Sequence, residues 1–185
     1  RYPPTQNPTL QAFDAADHYL LSQLQAQPEP GPLLIINDQF GALACALAAH
    51  QPCSWGDSHL SELALTENLR INQLDSGQIE MVPGDQSPPG QYQQVLLRVP
   101  KSLTLLEDQL RRLRPHLLPG AVVMAGAMIK HLPPRAGDLL AKYIGPYQAS
   151  LGWKKARLLS ANFDPQLIPP TQPLASHYAL DGTDI

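Results

Sequence analysis

Short apolar runs alternate with amphipathic segments along most of the chain, and this alternation restricts the possible folds more than any other feature of the sequence. The first run, Leu33–Ile36, is apolar at every position, which is typical of a strand buried on both faces of a parallel sheet. Similar runs predict four further strands, at 53–55, 79–82, 95–99 and 121–125. Strands that alternate with helices predict an α/β fold with a doubly wound sheet and right-handed crossovers.

Apolar residues at helical spacing mark the segments between these strands. The pattern predicts helices within 10–24, 41–49, 60–74, 103–117 and 138–144. Two late segments, Ala149–Trp153 and Ala156–Phe163, predict an antiparallel hairpin at one edge of the sheet. A seven-stranded, mostly parallel sheet with a terminal antiparallel hairpin is similar to the Rossmann-like fold of class I methyltransferases.

The composition is that of an ordinary globular protein. Hydrophobic residues make up 43% of the 185 residues and charged residues 16%, which argues against a disordered chain. No apolar run approaches the ~20 residues that span a bilayer, so we expect a soluble, cytoplasmic protein without membrane contact. The six histidines are scattered, and Cys45 and Cys53 form no CxxC pair. We therefore predict no metal site and buried free thiols, with a disulfide as the alternative.

The net charge of −3 conceals a division along the chain. Residues 1–93 carry two basic and ten acidic residues, which gives −8, whereas residues 94–185 carry eleven basic and six acidic residues, which gives +5. All eleven basic residues lie between Arg98 and Arg157, where three acidic residues oppose them. The division predicts a surface that faces phosphate; two ordinary solvated faces are the alternative.

The turn after the first strand is where a doubly wound fold holds its ligand, because ligands bind beyond the carboxyl ends of the strands at the switch point. A working methyltransferase usually has an acidic residue followed by Gly-x-Gly in this turn. Here the turn keeps Asp38 and one glycine, Gly41, with Phe40 in the crowded position. Asp57, at the end of the second strand, is placed to accept hydrogen bonds from a ribose, or to cap the next helix. We interpret Asp38, Gly41 and Asp57 as vestigial cofactor positions.

The turn after the fourth strand lacks catalytic groups. Amino-methylating enzymes of this fold place an Asn/Asp-Pro-Pro-aromatic sequence here, whereas this chain has Val99-Pro100-Lys101. A cation is a poor neighbour for an amino nucleophile but suits a phosphate. We therefore predict no catalytic residue in this chain and a phosphate contact at Lys101.

Several short segments together resemble one family. The segments 33–43, 56–58, 68–70, 99–101 and 153–157 resemble the N-terminal domain of the RlmG/RsmC family of bacterial ribosomal RNA guanine-N(2) methyltransferases. The resemblance implies two tandem methyltransferase-like domains, of which the C-terminal one binds S-adenosylmethionine and methylates the RNA. The N-terminal one is implied to be a degenerate copy that helps its partner to fold and holds ribosomal RNA.

This resemblance sets the expected domain organisation. We expect residues 1–185 to form one domain, on which residues 1–27 pack as a helical segment. The chain has no initiator methionine and ends at Ile185, so we expect the catalytic domain to lie outside it and no cofactor to bind to this part alone.

A basic cluster beside an aromatic residue is the predicted RNA contact. Trp153, Lys154, Lys155 and Arg157 lie around the predicted hairpin turn, and such residues grip a backbone and stack an unpaired base. The alternative is that Trp153 belongs to the core and the lysines are ordinary turn residues. Secondary contacts are predicted at two further positions, Lys130 and Arg135.

Two other functions remain open from the sequence. The chain is an active methyltransferase in its own right if Asp38, Gly41 and Asp57 still bind S-adenosylmethionine. It is a protein-binding module if its recognition surface faces a protein rather than RNA.

Overall fold

The computed structural model describes residues 11–26 and 31–170 and confirms the α/β fold. Predictions that fall on residues 1–10, 27–30 and 171–185 lie outside the described residues. Five helices and seven strands are described: α1 (Ala15–Gln25), β1 (Leu33–Ile36), α2 (Ala42–Ala46), β2 (Cys53–Gly56), α3 (His59–Ile71), β3 (Glu80–Pro83), β4 (Tyr92–Arg98), α4 (Leu103–Leu113), β5 (Leu117–Met128), α5 (Ala136–Tyr143), β6 (Tyr147–Ala149) and β7 (Ala156–Asn162).

The seven strands form one sheet in the order β3-β2-β1-β4-β5-β7-β6. The first five are parallel, whereas β7 runs antiparallel to both β5 and β6. The predicted seven-stranded sheet with a terminal antiparallel pair is therefore confirmed. The strand order reverses between β1 and β4, which places the switch point at the carboxyl ends of these two strands.

The apolar run of β1 is explained by two cores, one on each face of the sheet. Leu34 and Ile36 pack into one cluster with the buried leucines of α4 and α5. Leu33 and Ile35 pack into the other with the buried residues of α1, α2 and α3. Helices of the described chain therefore cover both faces of the sheet.

The terminal hairpin differs from the prediction at its first strand. The sequence predicts strand structure at Ala149–Trp153, but β6 covers Tyr147–Ala149. The strand ends here because the Ser150 hydroxyl accepts the Leu158 N–H at 3.0 Å, where a strand would supply a backbone carbonyl. A separate bridge between Trp153 and Ala156 then closes a two-residue turn.

Three other elements, β4, β5 and α2, differ in length from the prediction. β4 begins at Tyr92 and β5 at Leu117, three and four residues before the predicted starts. The early part of β5 contains Pro119 and Gly120, and the pairing with β4 shifts its register there. This irregularity hides the strand from a periodicity argument. α2 ends at Ala46 and a short 3₁₀ turn replaces the rest of the predicted helix.

The first helix is attached to the sheet by an ion pair at its N-terminus. Asp14 caps α1, and Asp17 completes a capping box with it. The guanidinium of Arg98, at the end of β4, lies 2.7 Å and 2.8 Å from the two Asp14 carboxylate oxygens and 3.1 Å from Asp17. The side chains of Arg98 and Asp17 are only 7% and 10% exposed, whereas that of Asp14 is 36% exposed, so the guanidinium and Asp17 are shielded from water and Asp14 is partly open to it.

None of the described helices is both long and apolar enough to cross a membrane.

Replacement of Arg98 by methionine should destabilise the fold strongly. The change leaves the carboxylates of Asp14 and Asp17 without their cation, and breaking a buried pair in this way costs roughly 3–5 kcal/mol. Arg70→Met is the matched control, because Arg70 pairs with Glu67 on the surface and such pairs contribute about 0–1 kcal/mol. Urea denaturation measures both; equal losses for the two variants would contradict the role given to Arg98.

Candidate functional site

A cavity of about 240 Å³ lies at the switch point, beyond the carboxyl ends of β1, β2 and β4. Its lining includes the predicted residues Asp38 and Asp57, together with Pro100 from the turn after β4. The topology therefore brings two of the predicted cofactor positions to one place. The cavity is smaller than the ~300–1,000 Å³ typical of sites for drug-sized ligands.

An amide pair occupies the end of β1. Asn37 adopts a left-handed conformation, with φ 62°, and its Nδ2 donates to the Arg98 carbonyl at 3.1 Å and to Gln109 Oε1 at 2.9 Å. In return, Gln109 Nε2 donates to Asn37 Oδ1 at 2.8 Å. The side-chain amide of Asn37, the first residue after β1, is thus satisfied by β4 and α4.

The carboxylate of Asp38 is used by the protein in the same way. It accepts the Ala44 N–H at 2.8 Å and so holds the beginning of α2. Burial of this side chain raises the pKa of Asp38 to about 7, with the nearby charge of Asp17 adding to the rise and the Ala44 hydrogen bond opposing it.

The remaining glycine of the turn has a packing role. Gly41 has a φ of 76°, and a Cβ placed there would lie 2.6 Å from Leu65 Cδ1 and 2.7 Å from Leu65 Cα. Gly41 therefore allows α2 to approach α3 closely. The Phe40 carbonyl accepts Asn68 Nδ2 at 2.7 Å, and Phe40 is not among the described residues that line the cavity. The steric objection to cofactor binding therefore comes from the size of the cavity and not, as the sequence suggested, from the Phe40 ring.

Asp57 differs from the other two positions, because its carboxylate is exposed. The sequence left open a role as helix cap, but the cap of α3 is Ser58, whose Oγ accepts the Ser61 N–H. Within the described part of the chain, no hydrogen bond or ion pair engages the Asp57 carboxylate. Asp57 is therefore available to a ligand at the mouth of the cavity.

These residues do not fit S-adenosylmethionine. The cavity is small, Asn37 and Asp38 are engaged with the protein, and Gly41 is packed against Leu65. Asp57 alone keeps the properties of a cofactor ligand. One free carboxylate does not replace the loop of backbone N–H groups with which glycines hold such ligands.

The turn after β4, where amino-methylating enzymes of this fold carry their catalytic sequence, is altered as well. The Val99 N–H donates to the Gly126 carbonyl at 3.1 Å, so the chain leaves β4 along β5. Lys101 follows as an exposed residue immediately before Ser102, the cap of α4.

The predicted basic cluster surrounds a tight turn that joins Trp153 to β7. Lys154 and Lys155 both have positive φ, 46° and 66°, which is the conformation of a type I′ turn. Lys154 Nζ lies 4.7 Å from the centroid of the Trp153 ring. Trp153 is 38% exposed and packs against Tyr19 of α1, with ring centroids 5.7 Å apart. Trp153 is therefore a partly exposed residue beside the half-buried Tyr19 and not a core residue.

The other predicted basic residues reach the same edge of the sheet. Lys130 follows β5, Arg135 precedes α5, and the Ile129 N–H donates to the Lys155 carbonyl at 2.8 Å. Because β7 is antiparallel and its first residue, Ala156, pairs with Met128 at the end of β5, its turn lies at the carboxyl edge. The predicted RNA-contacting residues thus adjoin one edge of the sheet: Lys101, Lys130, Arg135, Trp153, Lys154, Lys155 and Arg157.

Three residues that shape these sites were not predicted. Gln109 left a detectable signal in the sequence. It is a polar residue, yet helical spacing places it in the buried stripe of α4 with Leu106, Leu110 and Leu113. Tyr19 and Arg98 left none, because their partners are distant in sequence.

The cysteines are free, as predicted. Cys53 is buried, whereas Cys45 is only half-buried, and burial raises the pKa of each thiol to about 11. Across residues 11–26 and 31–170, no three His, Cys, Asp or Glu residues are grouped so that they could hold a metal ion.

Comparison with known proteins points in one direction. The family model described as the RLMG N-terminal domain matches residues 1–165. Two similar relatives, from Stutzerimonas stutzeri (strain A1501) and Pseudomonas putida (strain W619), are 56% and 53% identical to this chain over 98% of its length, and both are named ribosomal RNA large subunit methyltransferase G. The chain spans about half, 49%, of the length of these relatives.

Solved structures share the fold at lower identity. The 16S rRNA N2 G1207 methyltransferase RsmC from T. thermophilus, in complex with AdoMet and guanosine, superposes with a TM-score of 0.62 at 19% identity. The match covers 82% of this chain and 44% of that protein. It confirms a methyltransferase-like fold.

The buried carboxyl of Asp38 should make stability depend on pH. Its pKa is about 7 in the folded protein and has an ordinary value of 3.8, so folding takes up a proton between these limits. The stability that this group contributes is complete below about pH 4 and is lost as the pH rises towards 7, by up to ~1.4 kcal/mol per pH unit. Urea denaturation at several pH values should show that Asp38→Asn gains about 2 kcal/mol on the wild type between pH 5 and 8. If the free energies of unfolding of the wild type and of Asp38→Asn changed with pH in parallel, the raised pKa of Asp38 would be contradicted.

S-adenosylmethionine should not bind to the 185-residue chain with micromolar affinity. The reason is that Asn37 and Asp38 of the turn after β1 are engaged with the protein and the cavity is small. Titration calorimetry of the chain with S-adenosylmethionine measures this directly. Micromolar binding that Asp57→Asn abolishes would show that the pocket still serves as a cofactor site.

Proposed function

The chain belongs to the RLMG N-terminal domain family, and on that premise we propose that it is the non-catalytic, RNA-holding half of a ribosomal RNA guanine-N(2) methyltransferase. The full-length protein would use S-adenosylmethionine and act on large-subunit ribosomal RNA. The names of the relatives support this substrate class. Within this proposal residues 1–185 form one N-terminal domain, and the partner in the same polypeptide is a C-terminal methyltransferase domain.

The observation that carries the RNA-binding role is the collection of basic residues at one edge of the sheet, where β4 and β5 end and β7 begins. Lys101, Lys130 and Arg135 come from loops that follow parallel strands, whereas Lys154 and Lys155 come from the turn before an antiparallel one. Five cations from three loops share this edge, and all five are exposed. Such an edge binds a phosphate backbone without reading its sequence.

The accessible ring of Trp153 supports RNA rather than protein as the ligand. Trp153 and Tyr19 stand beside Lys154, so a stacking surface and a backbone contact lie next to each other. This combination is typical of sites for single-stranded nucleic acid.

The non-catalytic role is supported by the way the turn after β1 is used. Asn37 and Asp38 serve as internal hydrogen-bonding groups, and the turn after β4 presents Lys101 instead of an amide and an aromatic ring. Such a domain contributes binding and structural support while the rest of the polypeptide carries out the methyl transfer.

Removal of charge at the turn should weaken RNA binding without harm to the fold. The double change Lys154→Asn/Lys155→Gly keeps residues that favour a type I′ turn and removes two cations. Fluorescence anisotropy with a single-stranded fragment of large-subunit ribosomal RNA should show about tenfold weaker binding. The slope of log affinity against log salt should fall by about 1.4, since each lost phosphate contact on a single strand contributes ~0.7.

The matched control removes two cations from the opposite edge of the sheet. Arg70 and Arg111 lie near the C-terminal ends of α3 and α4, which run back towards the amino edge. Arg70→Gln/Arg111→Gln should leave the salt slope unchanged. Equal losses in both double variants would mean that net charge, and not the turn, determines the binding.

A further inference from the structure

The cavity at the switch point has apolar walls below a mouth that carries hydrogen-bond acceptors. The walls come from α3, β3, the turn after β4, and α4: Leu65, Met81, Val82, Val99, Pro100 and Leu105. Apolar surfaces of this kind pack against the faces of a flat ring. These apolar residues and a volume of about 240 Å³ give room and packing surface for a small ring.

The polar groups around the cavity are unequal in their freedom. Hydrogen bonds within the protein engage Asn37, Asp38 and Arg98. One carboxylate oxygen of Glu62 lies 3.1 Å from His59 Nδ1. Asp57 lies at the mouth with an exposed, unengaged carboxylate in the described structure. Gln39, Ser54 and Ser61 also line the cavity, but Asp57 is the charged lining residue whose side chain is unengaged in the described structure, and its carboxylate accepts two hydrogen bonds.

We propose that this cavity binds an unpaired guanine base of single-stranded RNA, with the Asp57 carboxylate accepting hydrogen bonds from the N1–H and the N2 amino group of the base. The proposal rests on the RNA-binding function proposed above and adds a base-specific site to it.

The chemistry of the base edges selects guanine. Guanine presents two adjacent donors, N1–H and the N2 amino group, and these match the two oxygens of one carboxylate. Adenine and cytosine each present a single amino group next to an acceptor, which would face the carboxylate unfavourably. Free phosphate is also disfavoured, because Asp57 and Glu62 line the same mouth and repel anions.

The position of the cavity agrees with a strand held at the basic edge. Lys101 follows Pro100, which lines the cavity, so a cation adjoins the mouth. One strand, β5, separates β4 from β7, and neighbouring strands lie about 4.8 Å apart. The Lys154–Lys155 turn is therefore within a few nucleotides of a base that enters the cavity.

The test uses four labelled nonamers in anisotropy titrations with the chain: nine uridines, and the same strand with guanosine, inosine or adenosine at the centre. The guanosine strand should bind about tenfold more tightly than the adenosine strand, as expected for one two-bonded base contact. Inosine, which lacks the N2 amino group, should fall between them. Asp57→Asn should abolish the preference for guanosine and leave binding to the uridine strand at least as strong.

The control and the contrary outcomes separate this proposal from the one on which it rests. Glu67→Gln removes the same charge from α3 outside the cavity and should keep the guanosine preference. Equal affinity of the wild type for the guanosine and adenosine strands would overturn the guanine site, while salt-sensitive binding of the uridine strand would still support RNA binding. If Asp57→Asn raised the affinity for all four strands equally, the carboxylate would only repel RNA, and this result would also overturn the guanine site. Failure of every strand to bind would overturn both proposals.

Discussion

The carboxyl edge of this sheet depends on the ion pairs of the buried Arg98 guanidinium. The guanidinium binds Asp14 with both terminal nitrogens and reaches Asp17. Although burial acts most strongly to raise the pKa of Asp14, the hydrogen bonds and charge of Arg98 hold it below its ordinary value. For Asp17, burial prevails over Arg98 and the pKa is raised. One cation thus fixes the first helix to the central strand.

Polar groups at the same edge make their hydrogen bonds within the protein. A buried polar group costs free energy unless it is hydrogen-bonded, so a loop that holds no ligand must find protein partners. Asn37 finds them in Gln109 and the Arg98 carbonyl, and Asp38 finds one in the first turn of α2. These bonds join β1, β4, α2 and α4 into one network, whereas Asp57, outside it, remains open to solvent. The family's shared fold does not require a shared site.

The sequence predicts the parts of this structure that rest on local pattern. The apolar run of β1 and the alternation of strands and helices are enough for the fold class, because burial on two faces leaves a direct trace in composition. The pairing of Asn37 with Gln109 leaves almost none, since the two residues are 72 positions apart. The early end of β6 depends on a single hydroxyl, that of Ser150. The contact of Trp153 with Tyr19 depends on where α1 lies, which no periodicity specifies.

The division of charge shows how topology converts a sequence pattern into a surface. β1, β2 and β3 come from the acidic half of the chain and form one side of the sheet, whereas β4 to β7 come mostly from the basic half and form the other. The acidic mouth at Asp57 and the basic edge at Lys154 and Lys155 therefore lie on one rim but at separate strands. In the proposed RNA complex, the phosphates of a strand would be attracted towards β5 and β7 on such a rim. The donor edges of its bases would be attracted towards β1 and β2, so the potential along the sheet would orient the strand before any base contact forms.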